Sequence, residues 1–185
     1  ENNLIIHFSD ELPNDINTSF TAKVNEDNRK ASSRNHTSTH LLHESLRSIL
    51  GGHVAQKGSL VNPDYLRFDF THFSRIERAD LRKIELDVNS KILANIMLEE
   101  HNNIPISKAK DLGAIMLFGE KYDDVVRMIQ FGHSKELCGG THVNATGEIG
   151  LFKILSEGST SSGIRRIEAV SGVKALSYLN EKEEL

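Results

Sequence analysis

The chain has 185 residues, of which 38% are hydrophobic, and it carries a formal net charge of −4 at pH 7. This length and composition are those of a globular domain that buries one core. The negative charge argues against a non-specific nucleic-acid binder, because neutralising phosphates normally requires an excess of lysine and arginine. Any contact with RNA is therefore expected from a local cluster of cations on one face.

The cysteine content and the length of the apolar runs indicate the cellular compartment that is expected for the chain. The single cysteine, Cys138, excludes an internal disulfide, so a reducing cytoplasm is expected. The longest apolar runs, such as residues 114–118, are too short to span a bilayer, so no membrane contact is expected. The chain begins at Glu1 rather than methionine and ends in a charged, helix-like segment, residues 175–185. We therefore expect it to be a piece of a longer protein.

The first fifty residues predict two weak strands and one helix. The strands are expected at residues 4–8 and near residues 21–24. Apolar residues at helical spacing then predict a helix from about Ser33 to Leu50. Gly51-Gly52 follows this helix and supplies the backbone conformation in which helices end.

The middle of the chain alternates between strand and helix patterns. Residues 65–70 alternate apolar and polar side chains, which predicts a half-buried strand. Residues 74–77 match a helix-capping box, and the apolar spacing after them, up to Ile96, predicts a long helix. Pro105 places the end of this helix at or before Ile104. A short helix follows at residues 107–112, and then a strand at residues 125–131.

The last third predicts two strands, at residues 149–156 and 164–170, separated by a loop of small residues, and a final helix near Gly172. Strands outnumber simple alternating units, so the predicted class is α+β, with a mainly antiparallel sheet covered by helices. The predicted division has three parts. These are the edge of a preceding small β domain or linker (1–25), a central domain (26–172) and the start of a C-terminal helix (173–185).

Two pairs of side chains form a candidate metal site. His36 and His40 lie one helical turn apart, which puts both imidazoles on the same helix face. Cys138 and His142 form a second pair with the same separation. One thiolate and three imidazoles suit tetrahedral zinc, so one Zn²⁺ per chain is predicted, between a helix and the sheet. Helix-borne zinc proteases need a glutamate directly after the first histidine, and Thr37 in that position argues against a protease.

Four further residues are candidates for substrate contacts, each with a simpler structural alternative. Thr39 lies within about 60° of the ligand face of the helix, but a helical threonine equally bonds its own backbone. Gln56 lies in a glycine-rich, hairpin-like segment, where an exposed loop residue is the simpler interpretation. Arg165 and Arg166 follow a run of serines and glycine, where they either reach phosphate or lie at a solvated strand end.

Three further polar side chains have more than one structural interpretation. Arg67 and Asp69 share one strand face, where they either line a polar cleft or pair across the sheet. His43, one turn beyond His40, is expected to be a helix-surface histidine or to support a ligand rather than bind metal itself.

Several segments resemble signatures of the editing domains of alanyl-tRNA synthetases. Residues 35–43 (Asn-His-Thr-Ser-Thr-His-Leu-Leu-His) and 137–142 (Leu-Cys-Gly-Gly-Thr-His) are similar to the two zinc motifs of that family. Similar signatures fall at residues 56–61, 66–70, 117–122 and 163–169. Free-standing alanyl-tRNA editing proteins and threonyl-tRNA synthetases share parts of this pattern. The segments at 57–59 and 118–122 look like the synthetase itself.

The resemblance implies a deacylase that hydrolyses tRNA(Ala) mischarged with serine, with glycine as a lesser substrate. An alanine pocket rejects an added hydroxyl by only about a hundredfold, so a second, hydrolytic site is needed. The implied ligands are His36, His40, Cys138 and His142. The implied partners are the tRNA(Ala) acceptor end and the remaining domains of an ATP-dependent synthetase. Four protein ligands leave tetrahedral zinc no open position. Catalysis then requires a fifth ligand, a labile ligand or a zinc that only orients the amino acid, and the sequence does not choose between these, so the general base is left unassigned.

Three alternatives stay open at this point. The first is a free-standing alanyl-tRNA editing protein, and the second is a non-catalytic, zinc-stabilised module that binds tRNA. The third is an unrelated zinc hydrolase that acts on a small molecule. The low net charge disfavours the RNA-binding module, and turnover of simple esters without tRNA would identify the small-molecule hydrolase.

Overall fold

A computed structural model describes residues 6, 8–12, 14–117 and 121–184. The elements in chain order are α1 (Glu26–Leu50), β1 (Gln56–Val61), β2 (Leu66–Thr71), α2 (Arg78–Leu93), β3 (Glu99–Pro105), α3 (Ile106–Asp111), β4 (Val125–Phe131), β5 (Ser134–Leu137), a 3₁₀ turn (Thr146–Ile149), β6 (Phe152–Ser161), β7 (Ile164–Ser171) and α4 (Val173–Glu183). None of the helices in this described part is long and apolar enough to cross a membrane. The mixture of elements confirms the α+β class.

The strands form two antiparallel sheets rather than one. The larger sheet has the order β1-β2-β7-β6, and the smaller has the order β3-β4-β5. All neighbouring strands in these sheets run antiparallel, as predicted. Neither β3 nor β5 was predicted from the sequence. Strand β5 has only four residues, and β3 (Glu-Glu-His-Asn-Asn-Ile-Pro) lacks the alternation that marks a half-buried strand.

Helix α1 is the longest element and carries the first pair of candidate ligands. The side-chain oxygen of Asn25 accepts a hydrogen bond from the Asn28 backbone N–H at 3.0 Å and so caps its start. Gly51 ends it with a φ of 117°, a value that favours glycine. The helix begins at Glu26 rather than near Ser33, because its first turns are polar and exposed and therefore show no apolar period.

The core forms where α1 and α2 pack on one face of the larger sheet. Leu42 of α1, Ile84 of α2 and Phe68 of β2 are fully buried in one cluster. Arg67 and Asp69 alternate with the phenylalanines of β2 and so lie on the opposite face of the sheet. The half-buried strand predicted here is therefore confirmed.

Helix α2 begins later than predicted and ends within the predicted limit. Glu77 occupies the N-cap position without a side-chain cap hydrogen bond, so the capping box predicted at residues 74–77 does not form. The helix ends at Leu93, well before Pro105. Asn95 adopts a positive φ of 48° just beyond it, and the chain then enters β3.

Of the remaining predicted elements, the structure confirms some and differs from others. Residues 21–24 form no strand, and most of the strand predicted at 4–8 lies outside the described residues. The loop predicted at 157–163 is mostly strand, because β6 and β7 continue into a tight hairpin. The strand at 125–131 and the final helix after Gly172 are confirmed. The division into residues 1–25, 26–172 and 173–185 stays a prediction.

Candidate metal centre

Helix α1 and the segment after β5 bring four potential metal ligands together. His36 and His40 lie on α1, and Cys138 and His142 lie in the loop of residues 138–142, here called the ligand loop. One donor atom of each residue lies within 4.8 Å of the other three. The structure therefore joins both predicted ligand pairs into one cluster between α1 and this loop.

The donor set, and the distances from its sulfur to two of the imidazole nitrogens, fit a tetrahedral metal ion. Metal–ligand distances of about 2.0–2.3 Å put neighbouring donors of tetrahedral zinc about 3.3–3.8 Å apart. The Cys138 sulfur lies 3.5 Å from His36 Nε2 and 3.4 Å from His142 Nε2. His40 Nδ1 is buried and has no hydrogen-bond partner among the described residues. Three imidazoles and one thiol with these distances fit a borderline transition metal such as zinc.

Hydrogen bonds from the outer ring nitrogens orient two of the imidazoles. His36 Nδ1 lies 3.2 Å from the carbonyl oxygen of Thr141, to which it donates, and this leaves Nε2 free to bind a metal. His142 Nδ1 lies 3.1 Å from the hydroxyl oxygen of Thr37. The same hydroxyl oxygen accepts from the Val143 N–H at 3.2 Å. Thr37 is fully buried and thus ties α1 to the ligand loop.

Glu136 on β5 connects one ligand with a further buried histidine. Its Oε2 lies 3.8 Å from His40 Nε2, and its Oε1 accepts from His43 Nδ1 at 2.9 Å. His43 is 1% exposed, so it supports the cluster from within rather than lying on the helix surface. Burial alone would raise the pKa of Glu136, but the neighbouring imidazoles of His40 and His43 lower it below its usual value.

Burial favours the neutral imidazoles that metal binding requires. Burial, reinforced by His40, lowers the pKa of His36 to about 4. Burial also lowers the pKa of His40 and of His142. The pKa of the Cys138 thiol is raised by burial, so a bound cation is what would stabilise a thiolate there.

Arg127 on β4 fixes the backbone of the ligand loop. Its Nη1 donates to the carbonyl oxygens of Cys138 at 2.9 Å and Gly140 at 2.7 Å. Its Nε donates to Glu100 at 2.7 Å, which holds the guanidinium in place. One side chain therefore binds both carbonyls that flank Gly139. Arg127 was not predicted from the sequence, because the i, i+4 spacing of the ligands contains no signal for it.

Gly140 lies directly against the imidazole of His36. A Cβ at this position would be 2.2 Å from His36 Cε1, far inside the 3.5–4.0 Å or so at which carbon atoms pack. No atom lies within 4 Å of a Cβ built at Gly139. Glycine is therefore required at position 140 for His36 to keep its place, whereas position 139 has room for a side chain.

The structure places Thr39 and Gln56 in different surroundings. The Thr39 hydroxyl donates to the Asn35 carbonyl at 2.9 Å, so the backbone-bonded alternative is what the helix shows. Thr39 is 4% exposed. Gln56 is the first residue of β1, opposite Phe70, and is partly exposed rather than lying in a loop. Contact of either residue with a substrate stays a prediction.

Arg165 and Arg166 each pair with a carboxylate. Arg166 binds Asp69 through Nε–Oδ1 and Nη2–Oδ2 hydrogen bonds of 2.7 and 2.8 Å. Asp69 lies directly opposite Arg166 in the sheet, which confirms cross-strand pairing for this aspartate. Arg67 lies 3.7 Å from the same carboxylate, and Arg165 Nε donates to Glu157 at 2.6 Å. A tRNA contact by Arg165 and Arg166 stays a prediction, and both guanidiniums are already engaged.

Comparison with known proteins adds the family context of this site. Residues 126–168 match the family described as the threonyl and alanyl tRNA synthetase second additional domain, and this stretch contains Cys138 and His142. The chain is 60% identical over 187 residues to the alanine-tRNA ligase of Flavobacterium psychrophilum, covering 100% of the chain and 21% of the relative. It is 57% identical over 180 residues to that of Bacteroides fragilis, covering 97% and 21%. The chain is homologous to a segment of alanine-tRNA ligases.

This homology confirms the resemblance seen in the sequence. A third alanine-tRNA ligase, from Cytophaga hutchinsonii, is 54% identical over 185 residues, covering 99% of the chain and 21% of the relative. The chain thus spans about a fifth of the length of the ligases that it matches. The activity of the whole ligase, with its substrates and partners, therefore enters below only as a proposal.

We expect the purified chain to hold about one zinc ion, because four donors lie close together. Cys138→Ala removes the only thiol and should lose most of the metal. His133→Ala removes an exposed imidazole outside the cluster and should keep it. Elemental analysis of the three proteins measures this. Equal zinc content in wild type and Cys138→Ala would exclude the centre.

A second prediction uses the two adjacent glycines of the ligand loop, Gly139 and Gly140. Gly140→Ala should displace the His36 imidazole and weaken metal affinity by about tenfold or more, as expected when a ligand loses its support. Gly139→Ala adds the same methyl group where no atom lies within 4 Å and should bind metal like wild type. Competition with a chromophoric chelator measures both affinities. Equal metal affinity in the two variants would contradict a steric requirement for glycine at position 140.

Proposed function

We propose that this chain is the zinc-dependent editing domain of an alanine-tRNA ligase, hydrolysing the ester of tRNA(Ala) mischarged with serine, and more slowly with glycine. One observation carries the proposal. Four residues, His36, His40, Cys138 and His142, converge into a metal cluster in a chain that is homologous to these ligases over its whole length. The names of the relatives refer only to the ligase reaction. The hydrolytic activity of this segment is therefore the new part of the proposal.

The exposure of the four ligands indicates the side from which substrate approaches. His40 is buried, whereas His36, Cys138 and His142 are each partly exposed. An ester can therefore reach the cluster only past these three residues. A zinc ion held here would polarise an ester carbonyl or a water molecule if it gained a fifth ligand or released one of the four, and would otherwise orient the amino acid. Hydrolysis of the ester also requires that the developing oxyanion be stabilised.

The described residues around the cluster act by holding the ligands. Thr37 and Thr141 orient two imidazoles, and Arg127 fixes the ligand loop. Glu136 is buried and bonded to His43, which assigns it to supporting His40 rather than to accepting a proton from water. The general base therefore stays unassigned.

We propose that Thr39 recognises the hydroxyl group of the serine substrate. It lies between the two helical ligands in sequence, beside His40, and is almost fully buried. Its hydroxyl proton is committed to the Asn35 carbonyl, so its oxygen lone pairs remain able to accept. A serine hydroxyl can donate to that oxygen, and an alanine methyl group cannot. The unpaired oxygen would then disfavour alanine in the site.

The proposed function is tested by the deacylation of Ser-tRNA(Ala) and Ala-tRNA(Ala) by the zinc-loaded chain. We expect the serine ester to be hydrolysed faster, and Cys138→Ala to be inactive on both. Binding of tRNA without hydrolysis would instead support the non-catalytic module. Equal turnover of a simple serine ester and Ser-tRNA(Ala) would support the small-molecule hydrolase.

The role of Thr39 is tested with a matched pair of threonine variants. Thr39→Val keeps the shape and removes the hydroxyl, so it should keep zinc and reduce the preference for Ser-tRNA(Ala) by about tenfold to a hundredfold, the value of one unpaired polar group. Thr37→Val removes the hydroxyl that orients His142, so it should slow both esters alike. Rates on both substrates give the ratio for each variant. A wild-type ratio in zinc-replete Thr39→Val would remove Thr39 from recognition, and Gln56 would be tested next.

A further inference from the structure

We propose that a groove along the first half of α1 binds the phosphate backbone of the tRNA acceptor end. The proposal rests on the proposed function, and it names a tRNA contact other than Arg165 and Arg166. The groove has a volume of about 570 Å³, within the range of sites that hold small ligands. The groove is lined by cations of α1 and also by His142, a candidate metal ligand. The groove therefore borders the cluster.

Two residues of the groove, Arg29 and Ser33, lie on the face of α1 that carries the helical candidate ligands. Arg29, Ser33, His36 and His40 recur at intervals of four, three and four residues, which places them within about 60° of one another around the helix. Seven residues at about 1.5 Å each put Arg29 roughly 10 Å along the axis from His36. The ester is attached to the terminal ribose of the tRNA. The nearest phosphates of the tRNA backbone adjoin that ribose. An acceptor end whose ester lies at the cluster can thus lay its backbone along this face.

The two arginines of the groove, Arg29 and Arg34, lack the carboxylate partners that several other arginines of the described residues have. The side chain of Arg29 makes no hydrogen bond or ion pair with any residue in the described ranges. Arg34 Nε donates to the backbone carbonyl of Glu148 at 2.9 Å, which leaves its charge uncompensated. Lys30 has only an exposed pair with Glu26 at 3.8 Å, and such pairs are weak.

The balance of charge in the groove favours an anionic partner. Three cations and two carboxylates, those of Glu26 and Glu148, line it, so it carries one net positive charge in a chain of net charge −4. By contrast, Arg127, Arg165 and Arg166 each bond a carboxylate. Guanidinium groups bind phosphate with two parallel hydrogen bonds, which suits Arg29 and Arg34 to an RNA backbone.

The test measures affinity of the zinc-loaded chain for uncharged tRNA(Ala) at several salt concentrations. The double variant Arg29→Ala, Lys30→Ala removes two exposed cations of the groove. We expect weaker binding and a slope of log affinity against log salt that is smaller in magnitude by about 0.7–0.9 for each phosphate that the variant no longer neutralises. The control Lys83→Ala, Lys108→Ala removes two exposed lysines from α2 and α3, and should keep the wild-type slope. Equal slopes for the two double variants would overturn the proposal.

A substrate without phosphates separates this inference from the proposed function. On serine esterified to adenosine, the groove variant should match the wild-type rate, whereas its KM for Ser-tRNA(Ala) should rise with little change in kcat. An equal loss on both substrates would show that the groove cations support the fold rather than bind phosphate. If wild type hydrolyses neither ester, the proposed function fails, and the salt slopes still decide whether the groove binds tRNA.

Discussion

The candidate site depends on the way in which α1 packs against the ligand loop. The helix supplies two ligands and the loop supplies two more, so neither segment forms the cluster alone. The buried hydroxyl of Thr37 joins them through His142 and the Val143 backbone. On its other sides α1 packs into the main core through Leu41, Leu42 and Leu46. The position of the histidines is thus set by the same apolar contacts that stabilise the domain.

The four candidate ligands could be grouped into one site from the sequence because their signal is local. His36 and His40 share a helix face by their spacing alone, and Cys138 and His142 repeat that separation. The residues that hold the ligands could not be predicted in this way. Arg127 reaches the ligand loop because β4 pairs with β5. No short sequence motif predicts the register of that pair. Glu136 lies on a strand too short to be recognised.

The strands differ in the same way, since only some of them carry a local pattern. Strands β2, β4 and β7 have apolar side chains with a clear period, and they were predicted close to their observed bounds. Strand β3 is polar along most of its length and is held by pairing to β4. The role of the arginines also depended on register, since Arg166 lies opposite Asp69. Sequence spacing alone does not reveal that a cation already has a carboxylate partner.

The long separation of the two ligand pairs has a consequence for the unfolded chain. His36 and Cys138 are 102 residues apart, so an ion bound by both closes a large loop, much as a disulfide would. A cross-link of that span removes far more conformational freedom from the unfolded chain than from the folded one, in which the two segments already touch. Loss of a bound ion would therefore lower the free energy of unfolding of the whole domain rather than destabilise the ligand loop alone.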